Sequence, residues 1–195
     1  MKIATAVGYW SSGPPGDAAQ LFATADELGL DQVWTAEAYG SDAWTPLAWW
    51  GSRTAHVKLG TAISQLSARP PATLAMAAMT LDHLTQGRVI IGVGTSNPQV
   101  VEGWYGQPYP RPLERTREYV DILRAVIARA GPVVYDGKHY QLPLAGGTGL
   151  ASPCAPSCTR TGPRSRSTSE RRVPGTSRWR PRSPTDGSAC SSRPP

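Results

Sequence analysis

The amino-acid composition changes abruptly near residue 150, and this change limits the part of the chain that can form a packed core. Residues 151–195 contain no Leu, Ile, Met, Lys, Phe or Tyr and are rich in Arg, Ser and Pro. Such a segment buries too little apolar surface to offset the conformational entropy that is lost on folding. We therefore predict one folded domain over residues 1–150, followed by a disordered tail over residues 151–195.

The excess positive charge of the chain belongs to this tail. Nine of the 20 Lys and Arg residues lie there with two of the 14 acidic residues, a balance of +7, whereas residues 1–150 hold 11 cations and 12 acids, a balance of −1. A nucleic-acid-binding face requires basic residues that are clustered on a folded surface. We therefore expect no specific nucleic-acid partner.

The three cysteines, Cys154, Cys158 and Cys190, all lie in the tail. Because their number is odd they define no disulfide framework, and because no histidine lies near them we predict no metal site there. The first apolar run, residues 2–7, is too short for a signal peptide, and no stretch is long enough to span a bilayer. We predict a soluble, cytoplasmic protein without a membrane partner.

Strand-like and helix-like patterns alternate along the first 130 residues. Short apolar runs predict strands over residues 2–7, 32–36, 57–63 and 88–93. The intervening patterns predict helices that begin after Asp17, span 45–55, begin at Pro70-Pro71 and span 113–130, and Asp136-Gly137 indicates a hairpin over 133–142. Four strand–helix units in succession imply an α/β fold with a parallel sheet. Their order fits both a doubly wound sheet and the first half of a (β/α)₈ barrel.

The pair Gly92 and Gly94 does not form a dinucleotide-binding fingerprint. A third glycine is missing at the required spacing, and the pair follows the fourth predicted strand rather than the first. A Rossmann fold is therefore not predicted.

In both remaining architectures, ligands bind at the carboxyl ends of the strands. Polar and aromatic residues follow the predicted strands there, in the segments 8–10, 37–42, 64–67 and 94–97. This rim suits a flat ring system. Glu37 is the candidate catalytic residue, with two interpretations: a carboxylate near a cofactor, or an anchor for its loop. We expect Asp42 to cap the next helix.

The histidines His56, His83 and His139 are dispersed along the sequence. No Ser–His–Asp order, metal cluster or Walker loop is present in the sequence, so we predict no metal. Three tryptophans, Trp44, Trp49 and Trp50, are typical of a core or a subunit interface.

Several segments resemble the luciferase-like monooxygenase superfamily, and in particular its actinobacterial branch that uses the deazaflavin coenzyme F420. The segments are Val33-Trp34-Thr35-Ala36-Glu37, Leu59-Gly60-Thr61-Ala62-Ile63, Leu81-Asp82-His83-Leu84-Thr85-Gln86-Gly87-Arg88, Ile91-Gly92-Val93-Gly94, and the stretches 100–108 and 115–119. The resemblance covers residues 1–150 almost continuously.

This resemblance implies the N-terminal half of a (β/α)₈ TIM barrel with parallel strands. It also implies a flavin or deazaflavin ring at the strand carboxyl ends, packed against a non-prolyl cis peptide that alignment places at Ala62–Ile63. The expected cofactor is coenzyme F420, with FMN as the alternative, and the expected partners are a small-molecule substrate and further copies of the chain. The cofactor-binding candidates are Tyr9, Glu37, Ala62, Ile63, Gln65, Gly94 and Thr95.

Two positions depart from the sugar-phosphate dehydrogenases of this superfamily. These enzymes place a histidine after strand two and a glutamate after strand four, where this chain has Ala38 and Asn97. Oxidation of glucose 6-phosphate is therefore not expected, and the substrate stays open.

The tail has the character of a frameshift product. When its codons are read one base earlier, residues 151–159 can become Gly-Lys-Pro-Leu-Arg-Pro-Ile-Val-His, and the stretches from Arg164 and from Arg182 likewise become family-like. The function predicted by the resemblance is hydride transfer between the deazaflavin and an organic substrate, impaired by loss of the C-terminal half. An FMN-dependent monooxygenase is one alternative. The other is a non-catalytic fragment whose basic tail binds nucleic acid through charge alone.

Overall fold

A computed structural model describes residues 2–157, and in it the first four strand segments run parallel as predicted. The strands are β1 (Ala4–Gly8), β2 (Gln32–Thr35), β3 (Lys58–Thr61), β4 (Ser64–Gln65), β5 (Val89–Ile90) and β6 (Val93–Gly94). The main sheet has the order β1-β2-β3-β5, and β4 pairs with β6 in the same parallel sense. This order of parallel neighbours is that of one half of a barrel.

The third and fourth predicted strands are each split in two, which corrects the prediction of continuous strands over 57–63 and 88–93. The Thr61 hydroxyl donates to the carbonyl of Gly92 at 2.8 Å and accepts from its N–H at 3.0 Å, so a side chain takes the place of the backbone ladder. A Cβ at Gly92 would lie 2.0 Å from the Thr61 carbonyl oxygen, so only glycine fits. Between β3 and β4 the Ala62–Ile63 peptide is cis, which confirms the expectation from the resemblance.

Five helices connect and flank the strands: α1 (Ala18–Glu27), α2 (Trp44–Gly51), α3 (Pro71–Leu84), α4 (Pro98–Gly103) and α5 (Pro112–Ala128). Gly29 and Gly87 follow α1 and α3 with φ of +69° and +87°, as expected of helix-ending glycines. Asp17 occupies the N-cap position of α1, but its side chain makes no cap hydrogen bond, so this cap was wrongly predicted.

Helix α2 ends at Gly51, earlier than the predicted residue 55, and the Arg88 guanidinium supplies the reason. It donates to the carbonyls of Gly51, Thr54 and Val57 at 3.3, 2.8 and 2.8 Å. The carbonyls of Thr54 and Val57 are thereby turned towards Arg88 rather than along a helix. Asp82 accepts from the N–H of Val89 at 3.1 Å, so the Asp and Arg of the resemblance motif both hold the start of β5.

The outer face of the sheet forms the core with the helices. Val33, Thr35, Leu59 and Thr61 on this face are at most 1% exposed and pack with buried side chains of the helices, among them Phe22, Leu47 and Leu74. The side chains Gln32 and Trp34 on the opposite face of β2 are only half-buried. Helix α5 packs beside α3 through Tyr119 and Ile122, both fully buried. No helix within residues 2–157 has both the length and the apolar character that crossing a bilayer requires.

The predicted hairpin is confirmed, as the antiparallel pair β7 (Tyr135–Asp136) and β8 (Gln141–Leu142). Its turn is held by the buried carboxylate of Glu118 on α5, which accepts the N–H groups of Lys138, His139 and Tyr140 at 2.8–3.0 Å. Beyond residue 150, the N–H of Val133 donates to the carbonyl of Cys154 at 2.8 Å. The rest of the predicted disordered tail, with Cys158 and Cys190, lies outside the described residues, so the domain boundary stays a prediction.

The Asp26 carboxylate at the end of α1 accepts the N–H groups of Ala55, His56 and Val57, each at 2.7 Å. Burial raises the pKa of Asp26, but these three hydrogen bonds outweigh it and hold the pKa below its ordinary value of 3.8. The stabilisation is therefore complete above that ordinary value and is lost as the pH falls through the lower pKa of the folded state.

Asp26→Asn should lower the free energy of unfolding near pH 6. The difference in this free energy between the variant and the unaltered chain should shrink as the pH falls below about 4. Urea unfolding across this pH range measures the difference. Asp17→Asn is the matched control, because its side chain makes no cap bond. A difference for Asp26→Asn that is constant from pH 3 to pH 7 would contradict the assignment.

Candidate functional site

The predicted cofactor-binding residues lie at the carboxyl ends of the strands, but their exposure differs. Tyr9, directly after β1, is 59% exposed. Ala62 is exposed, whereas Ile63, Gly94 and Thr95 are half-buried. Glu37 and Gln65 are buried at 6% and 2% exposure. Ser64 and Gln65, expected in a loop of the rim, instead form β4.

Glu37 is the centre of the site's hydrogen-bond network. Its Oε1 accepts the N–H of Gln65 at 2.5 Å and the Ser64 hydroxyl at 3.2 Å, and its Oε2 accepts the N–H of Ala43 at 3.1 Å. Arg69 Nη1 donates to both oxygens, at 3.0 and 2.8 Å. One carboxylate thus joins the loop after β2, strand β4 and the segment before α3. We call these contacts the Glu37 clamp.

Arg69 extends the clamp in two directions. Its Nη2 donates to Asp42 Oδ1 at 3.2 Å, and its carbonyl accepts the hydroxyl of Tyr119 at 2.9 Å. Asp42 also accepts the N–H groups of Trp44 and Thr45 at 2.8 and 2.9 Å. It therefore caps the first turn of α2 as predicted, although it lies one residue before the N-cap position, which Ala43 occupies.

The pKa shifts at the site follow from burial and from these charges. Burial raises the pKa of Asp42, but its hydrogen bonds to Thr45 and Trp44 and the Arg69 guanidinium outweigh it, so the net shift is downward. Burial raises the pKa of the Tyr105 phenol, and the Glu37 charge adds to the rise. Burial likewise raises the pKa of Tyr119. The Asp42 carboxyl group is therefore ionised, and the phenols of Tyr105 and Tyr119 are neutral, at neutral pH.

Of the two interpretations of Glu37, these contacts correspond to the anchor. Both carboxylate oxygens already accept donors from the chain, and the side chain is 2% exposed. A general acid or base must lie within hydrogen-bonding reach of the proton that it transfers. Its catalytic role stays a prediction, whereas its positioning contacts are direct.

Two observations test whether a flat ring fits the carboxyl-end edge of the strands. Gln65 Nε2 donates to the carbonyl of Glu37 at 3.0 Å, which fixes the amide orientation and leaves the buried Gln65 Oε1 with no donor among the described residues. A buried acceptor of this kind costs free energy until a donor reaches it, and flavin and deazaflavin rings both carry an imide N–H. A Cβ at Gly94 would lie 2.8 Å from Ile63 Cδ1, so glycine at this position lets the Ile63 side chain pack directly against the backbone of β6. The residues present fit such a ring.

The loop after β6 is held by a side-chain hydrogen bond and borders a shallow cleft. Tyr109 donates its hydroxyl to the carbonyl of Ser96 at 2.9 Å, and Thr95, Tyr109 and Arg115 line a shallow cleft with Leu66. Asn97 Oδ1 accepts the N–H of Val100 at 3.0 Å and so caps α4, a helix that the sequence interpretation missed. Its signal, Asn before Pro98, was present in the sequence.

A pair of aromatic side chains at the same edge was missed as well. Tyr39 and Trp104 lie edge to face, with ring centroids 5.7 Å apart and an interplanar angle of 84°. They are 57% and 59% exposed. Because 65 positions separate the two residues along the chain, no local sequence pattern predicts this contact.

One group with the spacing of metal ligands occurs among residues 2–157, where none was predicted. Ligand atoms of Glu114, Glu118 and His139 lie within 4.8 Å of one another. The Glu118 oxygens already accept backbone N–H groups of the hairpin, and Lys138 Nζ lies 2.9 Å from Glu114 Oε1. These contacts hold the hairpin to α5.

Comparison with known proteins places this architecture in a family. A family model described as luciferase-like monooxygenase matches residues 2–157. The chain is 59% identical over 158 residues to a putative coenzyme F420-dependent oxidoreductase of Mycobacterium tuberculosis, a match that covers 80% of this chain and 46% of that protein. It is 32% identical over 152 residues to an F420-dependent glucose-6-phosphate dehydrogenase of Amycolatopsis mediterranei, covering 70% and 45%.

Among solved structures, the monooxygenase RslO1 of Streptomyces bottropensis superposes with a TM-score of 0.65 at 26% identity, over 72% of this chain and 47% of that one. The chain belongs to the luciferase-like monooxygenase family. It spans about half the length of the relatives that it matches.

Arg69→Met should lower the free energy of unfolding by about 3 kcal/mol, because it leaves the buried Glu37 charge without its cation. Adding Glu37→Gln should make the double variant less destabilised than the sum of the single changes. Urea unfolding followed by tryptophan fluorescence measures both. The control is Arg53→Met, an exposed arginine over the Trp49 ring, expected to change stability by less than ~0.5 kcal/mol. Strict additivity of the two changes would show that Glu37 and Arg69 do not act together.

Proposed function

We propose that this chain is the N-terminal half of a coenzyme F420-dependent oxidoreductase. The observation that carries this proposal is the buried Gln65 amide oxygen, which lacks a donor among the described residues and lies next to the place where Ile63 packs against Gly94. The relative at 59% identity, named as a putative F420-dependent oxidoreductase, supports the deazaflavin over FMN.

In this proposal, Ala62, Ile63, Gly94 and Thr95 form the surface for the ring, and Tyr9 borders it. Gln65 accepts a hydrogen bond from the imide of the ring. Glu37 positions Gln65 through the N–H of that residue, and acts through it rather than on the reacting atoms. The bound deazaflavin supplies a carbon centre that accepts or donates hydride.

The substrate is proposed to be a small organic molecule other than glucose 6-phosphate. The resemblance implies a histidine and a glutamate for sugar-phosphate oxidation, and this chain has Ala38 and Asn97. Asn97 is engaged as the cap of α4, so its amide oxygen already has a donor.

The tail is proposed to be a frameshift product, and the 195-residue chain to be impaired. The family match stops at residue 157, close to the change in composition, which supports this proposal. The resemblance implies that the missing half supplies further strands and a phosphate-binding loop for the coenzyme. Sequencing the locus tests the frameshift. The cytoplasm and a homo-oligomeric state are proposed on the same resemblance.

Titration of coenzyme F420 against the 195-residue chain, and against the chain with the reading frame restored, should give weak binding or aggregation in the first case and tight binding in the second. Coenzyme fluorescence is the readout. Restoration adds the loop that binds the phosphate, and it pairs the open strand edges.

Gly94→Val in the restored chain should weaken binding about tenfold or more, a loss of ~1.4 kcal/mol, because its side chain displaces Ile63. Gly103→Ala is the matched control, since a Cβ there meets no atom within 4 Å. Tight binding of FMN but not of F420 by the restored chain would favour the monooxygenase alternative. Equal, tight F420 binding by the 195-residue chain would contradict the proposed impairment.

A further inference from the structure

The Tyr39–Trp104 pair exposes two large aromatic surfaces at the edge where the ring is proposed to bind. Each ring is more than half exposed, although aromatic side chains gain most when they are buried. Their edge-to-face contact fixes the two rings at 84°, so together they form a corner with two apolar walls.

The chain positions this corner from two sides of the site. Tyr39 lies two residues after Glu37, and Trp104 is the C-cap of α4, the helix that follows β6 and Thr95. The next residue, Tyr105, is close enough to Glu37, Arg69 and Asp42 for their charges to act on its phenol. The corner therefore stands beside the Glu37 clamp.

We propose that the Tyr39–Trp104 corner binds a flat, uncharged ring of the substrate. This inference rests on the proposed function for the identity of the ligand as a substrate, and it names the substrate class. A third ring placed in the corner would stack one face on one wall and set its edge against the other wall, so that this face and this edge lose water.

The charges around the corner favour an uncharged ligand over a phosphate. A phosphate is recognised by cations with free donors. The neighbouring cation, Arg69, already donates to Glu37 and to Asp42. The two carboxylates would repel an anion, and the two phenols, Tyr39 and Tyr105, carry no positive charge.

The test uses the full 195-residue chain labelled with 5-fluorotryptophan and observed by fluorine NMR, with 2-naphthol as the probe. The chain has seven tryptophans, and Trp104→Phe assigns the resonance of Trp104. The probe should shift the Trp104 resonance in a saturable way, whereas glucose 6-phosphate should not. The exposed Trp49 on α2 is the internal control and should not shift.

Tyr39→Ala should weaken the probe about 3- to 10-fold, because one wall of the corner is lost, and Tyr39→Phe should retain binding. The resonances of the other five tryptophans within residues 2–157 report whether each variant keeps its fold. As a second variant, Trp104→Leu is followed by saturation transfer to the probe and should also reduce binding.

Coenzyme F420 is titrated, by its own fluorescence, into the chain with the reading frame restored, so the two proposals are judged separately. Failure of F420 to bind that chain, together with a retained Trp104 shift, would overturn the proposed cofactor but not the corner. A Trp104 resonance that does not respond, an equal shift at Trp49, or unchanged affinity in Tyr39→Ala would overturn the corner as a ring-binding surface.

Discussion

The carboxylate of Glu37 is the constraint on which the carboxyl-end edge of this half-barrel depends. A buried charge is tolerated only when it is paired and hydrogen-bonded, and Glu37 satisfies this through Arg69 and through donors from Ala43, Ser64 and Gln65. Removing Arg69 would leave the buried carboxylate without its cation, and removing any other segment would leave it without one of its hydrogen-bond donors. The segments are therefore held together by the cost of separating them.

The clamp fixes the position of Gln65 at the edge where we propose that the ring binds. Gln65 is held twice, by its N–H on the Glu37 carboxylate and by its side chain on the Glu37 carbonyl. Because Gln65 pairs with Gly94, the fixed position of Gln65 also positions β6. On the far side, the hydroxyl of Tyr119 ties α5 to the carbonyl of Arg69. The site is thus supported by the sheet and by the helices outside it.

The sequence predicted the parallel order of the strands because each apolar run and each helical stripe is a local pattern. It did not predict the breaks in strands three and four, since these come from the Thr61 hydroxyl and Gly92, residues 31 positions apart. It left two interpretations of Glu37 open, because only the folded chain brings Ser64 and Arg69 to that carboxylate. The helix cap at Asn97 could have been predicted from the following proline, but it was not. The Tyr39–Trp104 contact could not have been predicted, because it depends wholly on the tertiary fold.

The central claim is that the Glu37 carboxylate joins the loop after β2 to strand β4 by hydrogen bonds from the N–H groups of Ala43 and Gln65. Amide hydrogen exchange, measured residue by residue by NMR on the 195-residue chain, tests it most directly. The account predicts that both amides exchange as slowly as those of β2, and that Glu37→Ala speeds both together. Exchange of Ala43 and Gln65 at the rate of unprotected amides, while β2 stays protected, would contradict it.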